Sequence, residues 1–63
     1  DMNRIHKWVR KTLLKMRIDC LWTAHRNLIY VKFDNEEAQP HINNAKDEIV
    51  RAISKLEEQI RNL

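Results

Sequence analysis

The sequence predicts an α+β domain of order α-β-β-α, in which two helices pack on one face of a two-stranded antiparallel hairpin. Three observations lead there: an amphipathic repeat over residues 2–16, a period-two separation of faces over residues 17–33, and a long 3-4 apolar repeat running to Leu63.

The first helix spans Met2 to about Met16. Ile5, Val9, Leu13 and Met16 recur at helical spacing on one face, and Arg4, Lys7, Lys11 and Lys15 line the opposite one. Asp1 suits an N-cap, or the positive end of the helix dipole. Neither Gly nor Pro ends the helix near Met16, so that boundary rests on the change of period alone.

The hairpin pairs Arg17–Trp22 with Asn27–Phe33 around a turn at Thr23–Arg26. Alternation then puts Ile18, Cys20, Trp22, Ile29, Val31 and Phe33 on one wholly apolar face, and Arg17, Asp19, Leu21, Leu28, Tyr30 and Lys32 on the other. Wound at 3.6 residues per turn, the same segment carries large apolar groups all round, a pattern suited to a helix covered on every side.

The second helix starts between residues 35 and 41. Asp34 and Glu37 have capping-box spacing, and Pro40 suits a first helical turn. Ile42, Ala45, Ile49, Ala52, Leu56 and Leu63 then form the apolar stripe, flanked by Ala38, Val50, Ile53 and Ile60. The rival architecture is all-α: one helix over residues 2–33 and a second after it form a helical hairpin that dimerises as a four-helix bundle, with a three-helix bundle as a variant. Either way, 63 residues make a single domain, 1–63. The two bare strand edges of the first architecture also favour a homodimer.

One cysteine excludes an internal disulfide and gives no zinc signature, which suits a reducing, intracellular, cytoplasmic setting. No apolar run approaches the roughly 20 residues of a membrane span, so a soluble chain with no membrane partner is expected. Glycine is absent, and Asp1 stands ahead of Met2. Both fit a helix-dominated natural mini-domain or a de novo, engineered mini-protein binder. The α-β-β-α order resembles the middle of a ferredoxin-like unit, or a double-stranded RNA-binding domain shortened by a strand; a shared order of elements carries no function.

Catalytic chemistry finds no support. Cys20 and His25 are close in sequence but point apart in the hairpin, and His6, His25 and His41 lack metal-ligand spacing. Glu36/Glu37 and Glu57/Glu58 fit a helix start and a solvated face, and a chain without glycine has no phosphate loop. No enzyme, cofactor or metal site is expected.

Charge is uneven: residues 1–33 carry eight Lys/Arg against two acids, and residues 34–63 four against seven. The basic face of Arg4, Lys7, Arg10, Lys11 and Lys15 is the candidate anion or nucleic-acid contact. Trp8, Leu21, Leu28 and Tyr30, on the outer side of the hairpin and beside it, are the candidate protein-binding patch. The leading expectation is therefore a small non-enzymatic protein-interaction module that self-associates; its alternative is a nucleic-acid-binding domain.

Overall fold

In the computed structural model, which describes residues 2–30 and 36–63, the chain is an antiparallel pair of helices: α1 over Met2–Tyr30 and α2 over Gln39–Arg61. No strand occurs among the described residues. The α+β hairpin architecture is thereby overturned, and the helical hairpin weighed against it is the architecture found.

Residues 17–30 continue the helix begun at Met2. Each further residue on an existing helix adds a backbone hydrogen bond without a new nucleation cost, and nothing between Met16 and Tyr30 breaks the run. The expected four-residue turn, Thr23–Arg26, holds none of the Gly, Pro, Asn or Asp that turns favour. Thr12 and Thr23 both behave as helix-interior threonines, each hydroxyl donating to the carbonyl one turn back: Trp8 O at 2.9 Å and Asp19 O at 3.0 Å. Val31, Lys32 and Phe33, the remainder of the expected second strand, lie outside the described residues.

The true period of this stretch is helical. Leu14 is buried, and Ile18, Leu21, His25 and Leu28 are half-buried after it at steps of four, three, four and three, so one seam runs down α1. The facing seam of α2 is Ile42, Ile49, Ile53, Leu56 and Ile60, with Ile53 only 1% exposed. Leu14 and Ile53 are the buried hydrophobic residues among those described. At about 1.5–3 kcal/mol each, two such side chains make a slight core for a chain of this length.

Helix α2 starts where Pro40 allows and later than the Asp34–Glu37 spacing suggests. Its cap is Ala38, which provides no side-chain hydrogen bond, and Ile42 N–H donates to Ala38 O at 3.2 Å as the first turn closes. Proline in the first turn loses nothing, since the N–H it lacks has no helical acceptor there. The C-terminal end closes through Asn62 N–H on Glu58 O at 3.1 Å and Leu63 N–H on Ile60 O at 3.2 Å.

Candidate functional site

Helix α1 carries two apolar stripes, and α2 covers one of them. Ile5, Val9, Leu13 and Met16, expected from sequence to face inward, are 59%, 42%, 48% and 57% exposed. The seam belongs instead to Leu14 and its successors. Cys20, also exposed, extends the open stripe by another turn.

Beside this stripe the two helices leave an open groove of about 530 Å³, lined by Leu13, Met16, Arg17, Cys20, Leu21 and Leu56. The lining is almost entirely apolar, with Arg17 the one cation. On α2, Ala52 and Ala45 precede Leu56 by four and eleven residues and so share its side of the helix. The result is one broad apolar face on the two-helix layer, built from large side chains on α1 and smaller ones on α2.

The candidate protein-binding residues are not brought together. Trp8 and Tyr30 are 68% and 74% exposed, but 22 residues separate them, about 33 Å along a helix. Leu21 and Leu28 are half-buried in the seam, where the hairpin reading had put them outside. Trp8 lines a shallow hollow of about 220 Å³ with Lys7, Lys11, Ile60 and Leu63, at the end where α2 finishes.

Arg4, Lys7, Arg10, Lys11 and Lys15 are all exposed on α1. Helix α1 carries seven Lys/Arg and a single acid, Asp19, whereas α2 balances four of each. Two ion pairs lie within α2, Glu48–Arg51 and Lys55–Glu58, whereas Asp19 is the one acid on α1 itself.

Cys20 and His25 sit on different sides of α1. Cys20 borders the groove, while His25 packs edge-on against Trp22 with ring centroids 5.6 Å apart. The described residues contain no group of three or more His, Cys, Asp or Glu placed to hold a metal ion. No described helix is long and apolar enough to cross a membrane.

Sequence reasoning found Ile5, Val9, Leu13 and Met16 as a stripe but turned it inward, and it missed the pairing of that stripe with Leu56. The signal was present in the apolar groups distributed all round residues 17–30. No protein-family model, curated protein or solved structure matches this chain.

Proposed function

We propose that this chain is a small non-enzymatic protein-interaction module whose working surface is the open apolar face of α1. The observation that carries it is the alignment of Ile5, Val9, Leu13 and Met16, each at least 42% exposed, along one uncovered stripe. Single exposed apolar residues are ordinary on a protein surface, but an aligned set beside an apolar groove marks a contact surface. A protein partner matches it best, because an apolar face gains most from another apolar face leaving water with it.

The test uses the neutral dye Nile red with the dilute chain. Its emission is expected to brighten, and Leu13→Glu or Met16→Glu to abolish the gain while the pair Lys7→Glu and Lys11→Glu leaves it. Absence of brightening, or its loss in the lysine variant alone, contradicts the reading.

A second reading has its own observation: the cations Arg4, Lys7, Lys11 and Lys15 are exposed on a helix with a single acid, and the exposed Trp8 stands among them. That stripe suits nucleic-acid phosphates, with the indole as a stacking platform.

A further inference from the structure

We propose that the open face is covered by a second copy of this chain, so that two hairpins stack as a four-helix bundle with each α1 lying over the partner's α2. The inference rests on the reading of this face as the interaction surface, and it names the occupant.

Area points to a large one. The chain exposes 5514 Å², whereas a compact monomer of its 7.7 kDa mass is expected to expose about 4,300 Å². The excess of about 1,200 Å² is more than the roughly 800 Å² that each partner contributes to a standard protein interface. A ligand filling only the 530 Å³ groove leaves most of that excess wet.

Shape and charge select the arrangement. A two-fold axis parallel to the helices keeps each residue at its own height and so lays the large Met16 of one copy over the small Ala52 of the other, so that large meets small. A two-fold perpendicular to the helices instead lays α1 on α1. That places two helices side by side that each carry seven Lys/Arg against one acid, with Coulomb repulsion along their length. The parallel axis sets each basic helix on an electrically balanced α2, and every neighbouring pair in the bundle then runs antiparallel, the common up-and-down form.

Sedimentation equilibrium of the full chain at tens of micromolar is expected to give twice the 7.7 kDa chain mass. Leu13→Glu and Met16→Glu, both outside the buried seam, are expected to sediment as single chains. Geometry is read by a short bismaleimide crosslinker acting on an equimolar mixture of the wild-type chain and a size-tagged Cys20→Ser, Ala52→Cys chain. Crosslinks between Cys20 of one copy and position 52 of the other should exceed those between two Cys20 thiols; the reverse order overturns the arrangement. A single-chain mass at every concentration, or an assembly larger than two, overturns the occupant. On a single-chain species, Nile red brightening that Met16→Glu abolishes preserves the face as a surface for a different protein, and its absence removes that reading too.

Discussion

The hydroxyl of Thr23 donates to the backbone carbonyl of Asp19 at 3.0 Å, one helical turn back, at the centre of a segment whose alternating pattern reads as a strand turn. This bond ties the middle of α1 into the preceding turn, and the helix passes through it to Tyr30. A break at that point therefore uncouples the two halves of α1.

Thr23→Pro is the direct probe. Proline removes the backbone donor and collides with the preceding turn, at a cost of about 3 kcal/mol or more in a helix interior. Ellipticity at 222 nm should fall and the thermal midpoint with it. A proline variant as helical as the wild type contradicts a continuous α1.

Ile53→Ala should destabilise by about 2–4 kcal/mol, since it opens a cavity at the best-buried position in the seam. Val50→Ala, at a site 40% exposed, should cost well under about 1 kcal/mol. Urea titration of both variants decides it: equal losses place the seam on the wrong side of α2.

The Glu48–Arg51 pair, with side chains 69% and 72% exposed, should matter little. Glu48→Gln is expected to change stability by less than about 0.5 kcal/mol, because solvent and salt screen an exposed pair. A larger loss at low salt that vanishes in molar salt assigns these charges an electrostatic weight their exposure argues against.

Phosphate contact by Arg4, Lys7, Lys11 and Lys15 has a distinct signature. Affinity for a labelled oligonucleotide should fall with a log–log salt slope of about −3 to −4 for four contacts. Charge reversal at Lys7 and Lys11 should abolish binding with helicity intact, as both side chains are exposed. A slope near zero removes the nucleic-acid reading.

Helix α2 was legible because its signals agree: Pro40 marks a start, and Ile42, Ile49, Leu56 and Leu63 repeat at helical spacing. The amphipathic start of α1 was legible for the same reason. Residues 17–30 were not, because β-branched and aromatic side chains such as Ile18, Trp22 and Ile29 satisfy period two and helical burial alike over so short a run. What separates the alternatives is the partner across the seam, and Ile18, Leu21 and Leu28 acquire one only when α2 is laid alongside them. The inner face of α1 was misassigned because Leu13 and Leu14 are neighbours that belong to different stripes, and sequence alone gives no preference between them. Of the candidate site, the basic residues are exposed on α1, while Leu21 and Leu28 were assigned outward from a strand register that the helix replaces.

The molecule extends 55 × 16 × 10 Å, so along its shortest direction it is a single layer of helix. Such a sheet of helices has no interior in which one element could stay dry while the other melts. Parting the seam at Leu14 and Ile53 wets both helices at once, and each loses the packing of its apolar face that supplies most of a helix's stability in a protein. In the dilute single chain, amide hydrogen exchange across α1 and α2 should thus converge on one opening free energy, without a slow kernel surrounded by faster shells, and only the first turns of α1 beyond the reach of Leu63 should exchange earlier.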